Sequence, residues 1–166
     1  DFDHYEPVYS PDGKYILMSA LRRDDADYLP KQDFWLIHVS TGKMTWLMDG
    51  IGPCFWAVWS PDGDKIAFAG HNNSYGDSTS DSLWVLDVSE FLGTLETGKG
   101  LLNLKPNSME NATNLLEEFD RPLGNKLSSD MRYDVGAIPF YWEDETTITF
   151  LAGNKGATGV FQVSFD

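Results

Sequence analysis

Short runs of alternating hydrophobic and polar residues recur along this chain, with turn-forming residues between them. Three such runs lie at 14–20, 64–70 and 146–152. Strands that bury one face alternate in this way, and clusters of Gly, Pro, Asn and Asp commonly bound them. The pattern therefore predicts an all-β protein with many turns.

The first of these runs is repeated by the second. Displacing the sequence by 50 residues puts Tyr9 on Trp59 and Gly13 on Gly63, so that "YSPDGK" overlies "WSPDGD". The match resumes beyond a loop, where residues 34–40 fall on 83–89. Matched positions on both sides of a loop indicate a repeated structural unit rather than two unrelated hairpins.

A third, degenerate copy follows. A displacement of 82 residues puts Tyr141 on Trp59 and Asp144 on Asp62, but the Pro and Gly of the turn are missing. This copy also stops after its third strand-like run. The sequence therefore predicts an incomplete last repeat, as in a fragment of a larger array.

The conformation of a tight turn explains why the first two copies both contain Ser-Pro-Asp-Gly. Proline suits the first central position of a tight turn, and glycine accepts a positive φ after the aspartate. The aromatic residue before each turn is expected to lie between neighbouring repeats. The residues assigned to this structural role are Tyr9, Pro11, Asp12, Gly13, Trp59, Pro61, Asp62, Gly63, Tyr141 and Asp144.

Four strands in about 50 residues correspond to one blade of a β-propeller. The predicted fold is an all-β propeller fragment of about three four-stranded antiparallel blades. Blades are expected at 1–50, 51–107 and, incomplete, 136–166, with an insertion or crossing loop at 108–135.

The stretch after the second copy breaks the rhythm of the repeats. Residues 101–104, "LLNL", are a candidate fourth strand for the second blade. Residues 107–116 are polar and predict one short helix with Ser108 as its cap.

Charge restricts the classes of partner. Acidic residues outnumber basic ones 26 to 12, for a net charge of −14, and no basic stripe is present. Neither nucleic acid nor an anionic membrane is expected as a partner. Without a signal-peptide pattern or a membrane-length apolar run, a cytoplasmic location is favoured, although the compartment is not determined. The single cysteine, Cys54, lies in an apolar run and is expected to be buried.

No catalytic, cofactor or metal site is predicted. The chain has no G-x-S-x-G motif, and His4, His38 and His71 lie in separate repeat segments. The loop 71–81 is rich in oxygen atoms but lacks the spacing of an EF-hand, so a solvated loop is favoured over a calcium site.

The repeats resemble known propellers. "YSPDGKYILMSA" and "WSPDGDKIAFAGH" resemble the repeats of TolB-like and prolyl-oligopeptidase-type propellers. The segments 119–125 ("FDRPLGN"), 129–132 ("SDMR") and 147–166 are similar to acylaminoacyl-peptidase-like members of the prolyl oligopeptidase family. In that family a propeller caps an α/β-hydrolase domain with a Ser-Asp-His triad and restricts entry to short peptides.

The resemblance implies a non-catalytic propeller segment that shapes peptide access to a hydrolase domain elsewhere in the parent serine peptidase. Paired glutamates on a propeller insertion hold the substrate amino terminus in related dipeptidyl peptidases. Glu117 and Glu118 are therefore candidate substrate contacts, although a solvated acidic pair is the favoured interpretation. Arg121, and the pair at 22–23, could meet a peptide carboxylate.

Two alternatives remain open. One is a TolB-like protein-interaction propeller without a hydrolase domain. The other is a three-blade protein that closes a ring as a homo-oligomer through open blade edges. The reading frame beyond Asp166 would separate the first alternative from the peptidase.

Overall fold

A computed structural model describes residues 4–22, 31–124 and 137–165 of the chain. Arg23 and the segment 129–132 were part of the sequence predictions but lie outside these residues. Residues 125–135 of the predicted insertion lie outside them as well. The strands are β1 (His4–Tyr9), β2 (Tyr15–Ala20), β3 (Asp33–His38), β4 (Met44–Asp49), β5 (Cys54–Trp59), β6 (Lys65–Gly70), β7 (Ser82–Asp87), β8 (Asn107–Ser108), β9 (Thr113–Asn114), β10 (Phe140–Trp142), β11 (Thr147–Asn154) and β12 (Ala157–Ser164).

These strands form three sheets. Sheet 1 has the order β1-β2-β3-β4-β8, sheet 2 the order β5-β6-β7-β9, and sheet 3 the order β10-β11-β12. Every pair is antiparallel except β4 with β8. The predicted fold class, an all-β fragment of about three antiparallel blades, is confirmed. No helix in the described part of the chain is both long and apolar enough to cross a lipid bilayer.

Two hydrophobic cores lie between the sheets. The first core joins sheets 1 and 2, where the rings of Phe34 and Phe68 meet edge to face with centroids 5.2 Å apart. The second core joins Val85 of sheet 2 to Ile148 and Phe150 of sheet 3. Because side chains alternate across a strand, sheet 2 supplies one set of residues to each core.

The two Ser-Pro-Asp-Gly turns share one hydrogen-bond pattern. Ser10 Oγ donates to Asp12 Oδ1 at 2.7 Å, and Lys14 N donates to the same oxygen at 3.0 Å. Gly13 has a φ of 71°, a conformation that glycine adopts without steric cost. The second turn repeats this arrangement, with distances of 2.6 and 3.1 Å, in Ser60, Asp62, Asp64 and Gly63 (φ 82°).

The aromatic residues before the turns do not all lie between sheets. Trp59 is buried in the first core. Tyr9 is 62% exposed, because it lies on a face of sheet 1 that no other described sheet covers. Tyr141 is 53% exposed, and the neighbouring Trp142 rather than Tyr141 contacts sheet 2. The expected packing of the two tyrosines between blades stays a prediction, because no described sheet covers the faces on which they lie.

The third repeat is shifted by one residue at its turn. Trp59 pairs with Ile66 seven positions later, whereas Trp142 pairs with Ile148 only six positions later. The turn is therefore one residue shorter, and Trp142 rather than Tyr141 takes the place of Trp59. Its indole Nε1 donates to Val58 O at 3.2 Å, across to sheet 2. 

The shortened turn keeps the role of its aspartate. Asp144 Oδ1 accepts a hydrogen bond from Thr146 N at 2.8 Å, as Asp62 does from Asp64 in the second turn. This backbone hydrogen bond lowers the pKa of Asp144. The turn thus survives the loss of Pro and Gly because its central hydrogen bond remains.

Equivalent bulges interrupt the first strands of sheets 1 and 2. Glu6 and Trp56, which lie 50 residues apart and coincide in the displaced alignment, have φ angles of 54° and 56°. Glu6 Oε2 accepts a hydrogen bond from Trp56 N at 2.5 Å, which links the two bulges. Neither bulge was predicted, since no glycine marks it in the sequence.

An α-helix follows β7, where no helix was predicted. Helix α1 (Ser89–Thr97) ends at Gly98, which has a φ of 68° and donates its N–H to Thr94 O. Phe91 is buried in the first core, and Leu92 and Leu95 pack against it. Spacings of three and four residues place such side chains on one helix face.

The chain then crosses from sheet 2 to sheet 1 and back. Strand β8 joins sheet 1 beside β4, and β9 joins sheet 2 beside β7. The predicted fourth strand at 101–104 is wrong: Leu101–Asn103 is a 3-10 helix, and the fourth strand of sheet 2 is β9. Residues 101–104 have no edge of sheet 2 to pair with beside β7, because β9 occupies it.

The predicted short helix is confirmed as a 3-10 helix, Met109–Asn111, between β8 and β9. Ser108 caps it, since Ser108 Oγ accepts from Glu110 N at 3.2 Å. The Met109 side chain is fully buried in the first core. Met109 therefore anchors the crossing segment, residues 98–112, in the core between sheets 1 and 2.

Replacing Met109 tests this anchor. Met109→Ala leaves a cavity in the first core and is expected to lower the free energy of unfolding by about 2–5 kcal/mol. Leu102→Ala is the matched control, because Leu102 is fully exposed on the same segment. Urea denaturation measures both, and equal stabilities of the two variants would contradict the anchoring role.

The two aspartates of the turns predict an acid-dependent stability. Burial raises the pKa of Asp12 and Asp62, but hydrogen bonds from backbone N–H groups and from Ser10 and Ser60 outweigh it, so each pKa lies below the ordinary 3.8. The unfolded chain then takes up these protons at a higher pH than the folded protein. Their stabilisation is present above pH 3.8 and is lost as the pH falls through the folded values.

We expect the melting temperature to fall between roughly pH 5 and pH 3. The double variant Asp12→Asn, Asp62→Asn keeps acceptor oxygens in the turns but removes both titrations, so its melting temperature should change less over this interval. An unchanged pH dependence in the double variant would show that other carboxylates cause the effect.

Candidate binding cleft

The arm, residues 114–122, leaves β9 and runs to sheet 3. Asn114 Oδ1 fixes its start by accepting hydrogen bonds from Ser82 Oγ at 2.5 Å and from Leu116 N at 3.0 Å. Phe119 N donates to Leu116 O at 2.9 Å and closes a tight turn. Leu116 is buried, so the turn exposes Glu117 and Glu118 at its tip.

Sheet 3 holds the far end of the arm. Gly153 N donates to Pro122 O at 3.2 Å, and Gly124 N donates to Leu151 O at 2.7 Å. Leu123 forms an isolated antiparallel bridge with Ala152 and is buried in the second core. The arm is thus fixed by hydrogen bonds at both of its ends, through the Asn114 side chain at its start and through the backbone at its far end.

An open cleft of about 660 Å³ separates the arm from the loop that joins β6 to β7. The structure brings all three predicted substrate contacts, Glu117, Glu118 and Arg121, into the lining of this cleft. Loop residues opposite them carry mostly hydroxyl and amide groups, and Tyr75 there is 81% exposed. The cleft is therefore polar, accessible and predominantly acidic.

Arg22, the other described candidate for carboxylate binding, lies elsewhere. Its guanidinium stacks on Trp35 of sheet 1, with the carbon 5.3 Å from the ring centroid. It does not line the cleft. Of the two predicted arginines that the structure describes, Arg121 alone meets the glutamates at one site.

Two aromatic rings orient Arg121. Its guanidinium carbon lies 5.4 Å from the ring centroids of both Phe119 and Phe161. These rings meet edge to face, 5.1 Å apart, as part of the second core. Cation–π contacts of this kind hold a guanidinium in place while the N–H groups at its edge remain available for hydrogen bonds.

The described histidines and the cysteine lie apart from the cleft. His38 contacts Tyr15 in sheet 1, with ring centroids 5.3 Å apart, and His71 Nδ1 accepts a hydrogen bond from Asn73 N at 3.1 Å. Burial, and then the charge of Asp33, raises the pKa of Cys54 and keeps its thiol neutral. Among the described residues no three His, Cys, Asp or Glu side chains are arranged to hold a metal ion.

The chemistry available in the cleft is therefore recognition of charge and hydrogen bonding. Carboxylates of Glu117 and Glu118 suit an ammonium group, and the Arg121 guanidinium suits a carboxylate. Sequence reasoning missed Asn114 and Phe161, which position these groups. Phe161 lies 40 residues from Arg121, and no local pattern connects them.

Comparison with solved structures places the fold among propellers. The chain matches TolB from Acinetobacter baumannii with a TM-score of 0.57 and 13% identity, over 98% of this chain and 29% of TolB. It matches the β-propeller domain of the Trilobed protease from Pyrococcus furiosus with a TM-score of 0.58 and 16% identity, over 95% of this chain and 38% of that one. A third match is an oligogalacturonate lyase in complex with manganese, with a TM-score of 0.59, 12% identity, and coverage of 99% and 36%.

These likenesses show a shared fold, that of part of a β-propeller, and no more. The chain spans between 29% and 38% of the length of these three proteins. No protein-family model matches the sequence, and the search of curated proteins finds no match either.

Asn114 is expected to hold the arm in place. Asn114→Ala removes the acceptor for Leu116 N–H, so this amide should exchange its hydrogen with solvent about tenfold faster, which corresponds to one lost hydrogen bond. Asn114→Asp keeps an acceptor oxygen at the same position and should preserve the protection. Native-state hydrogen exchange measures both variants, and equal rates in them would rule out this role for the side chain.

Proposed function

We propose that this chain is a non-catalytic propeller segment of a prolyl oligopeptidase-family serine peptidase of the acylaminoacyl-peptidase-like kind. In this role it shapes the access of peptides to an α/β-hydrolase domain of the same parent protein. Glu117, Glu118 and Arg121 contact the peptides on their way to that domain.

The meeting of these three residues in one cleft carries the proposal. The family resemblance and their charges made them candidate substrate contacts, and the cleft between the arm and the β6–β7 loop presents all of them to solvent. A peptide with a free amino terminus carries both charges that this set of side chains recognises, an ammonium and a carboxylate, and an N-acylated peptide keeps the carboxylate. The likeness to the propeller of the Trilobed protease agrees with this role.

A protein-interaction propeller is the second candidate, favoured by the likeness to TolB. Half-buried Trp35 and Trp46, whose rings stack 5.8 Å apart, lie on the face of sheet 1 that no described sheet covers, beside exposed Tyr9. Surface aromatics of this kind are common at protein interfaces. In this role the cleft would recognise a partner protein rather than a passing substrate.

The reading frame that contains this chain separates the two candidates. We expect it to continue through further blades into a domain with a G-x-S-x-G motif. The expressed parent should hydrolyse an N-acylated aminoacyl nitroanilide, and a serine-directed inhibitor should abolish the reaction. The 166-residue chain alone is the control and should hydrolyse nothing.

Variants of the parent then test the cleft. Glu117→Gln combined with Glu118→Gln should raise KM about tenfold for a peptide with a free amino terminus, because charged hydrogen bonds to the ammonium are lost. The same variant should leave the acylated substrate within twofold. A frame that ends after further blades, with no hydrolytic activity, would contradict the peptidase proposal and support the interaction propeller.

A further inference from the structure

A second cleft, of about 430 Å³, lies between the end of the arm and the hairpin turn that joins β11 to β12. Arg121 lines it from the arm and Lys155 from the hairpin, and Asp120 is the one acidic residue in its lining. Acidic residues outnumber basic ones 26 to 12 in the whole chain, so this cleft reverses the sign of its surroundings.

We propose that this cleft is a binding site for a carboxylate group of a peptide, held by Arg121 and Lys155. A guanidinium presents parallel N–H groups that match the two oxygens of a carboxylate, and an ammonium adds a mobile donor and charge. The carboxylate belongs to a chain terminus or to an acidic side chain, and both sources present the same group.

The structure prepares Arg121 for this contact. The rings of Phe119 and Phe161 lie against its guanidinium, and its own N–H donates to Phe119 O at 2.7 Å. Among the described residues no ion pair joins Arg121 to a carboxylate. An arginine that is already ordered loses little further entropy when it binds an anion.

Lys155 adds an observation independent of charge. It occupies the left-handed region, with a φ of 50°, in a two-residue turn between Asn154 and Ala157. Such turns favour Asn or Gly, and a lysine there has an unfavourable backbone conformation. Lys155 therefore does not serve the turn itself. Its exposed charge beside the cleft indicates that the side chain is the reason for a lysine at this position.

The two clefts share Asp120, Arg121 and Pro122. A peptide bound by its carboxylate at Arg121 can therefore run along the arm toward Glu117 and Glu118. The carboxylate site rests on the proposed contact of Arg121 with peptides, but it needs no hydrolase domain.

Nuclear magnetic resonance titration of the isotope-labelled 166-residue chain tests the site. The probes are acetyl-Gly-Gly-Ala with a free terminal carboxylate, the same peptide as its amide, and acetyl-Gly-Glu-Gly-amide, which carries the carboxylate on a side chain. We expect one of the two acids to bind at least tenfold more tightly than the amide and to shift the amide signals of Gly153 and Gly156. The acid that binds identifies the source of the carboxylate, and equal binding of all three peptides would overturn the proposal.

Variants separate binding from folding. Lys155→Asn removes the cation but suits the positive φ, so it should weaken acid binding about threefold while the melting temperature stays equal or rises. Arg121→Gln should weaken binding about tenfold. Arg121→Lys keeps the positive charge but not the paired N–H groups of the guanidinium, so its affinity should lie between those of the wild type and Arg121→Gln. Lys99→Gln, at an exposed lysine beyond α1, is the control and should bind like the wild type.

Acid binding by Lys155→Asn at wild-type strength would overturn the role of Lys155 whatever the stability of the arginine variants. Hydrolysis by the parent protein is a separate measurement. Loss of the carboxylate site leaves the peptidase proposal standing, and absence of hydrolysis leaves the carboxylate site standing.

Discussion

Face-to-face burial of antiparallel sheets is the constraint on which this structure depends. Sheet 2 is covered on both sides, so its central strand sends Ile66 and Phe68 into the first core and Ala67 and Ala69 into the second. No single sheet could bury these residues alone, because each strand exposes side chains on two faces. The crossing segment strengthens the first of these contacts by placing Met109 in the layer between sheets 1 and 2. The arm does the same for the second, through Leu116.

The repetition in the sequence made the sheets predictable. The elements that interrupt the repetition were not predictable. The spacing of the Ser-Pro-Asp-Gly turns located β1, β2, β5 and β6, because local hydrogen bonds around Asp12 and Asp62 define each turn. Helix α1 depends on packing against distant residues, because Phe91 lies in the first core, whereas the 3-10 helix at 101–103 buries none of its residues. The displaced alignment also missed the single-residue deletion before β11, so it assigned to Tyr141 the position that Trp142 occupies.

The candidate site was predictable in its charges and not in its construction. Glu117, Glu118 and Arg121 could be named from the sequence because the family resemblance points to paired glutamates and because their charges suit the ends of a peptide, and their role as contacts stays a prediction. Their surroundings depend on contacts between distant segments. Examples are the hydrogen bond from Ser82 to Asn114 and the cation–π contact of Arg121 with Phe161. Lys155 could not be chosen, since only the fold brings the hairpin beside the arm.

The outer faces of sheets 1 and 3, which no described sheet covers, bear on how the blades can be completed. Sheet 1 carries half-buried Trp35 and Trp46 beside exposed Tyr9, and sheet 3 carries exposed Tyr141 and Val160 on the face opposite the second core. Stacked sheets bury such side chains between them, as Phe34 and Phe68 are buried between sheets 1 and 2. Both outer faces therefore suit a further sheet as a neighbour. Thr149 and Gln162 pair on the outer face of sheet 3, so a neighbour there has to leave their polar groups hydrogen-bonded.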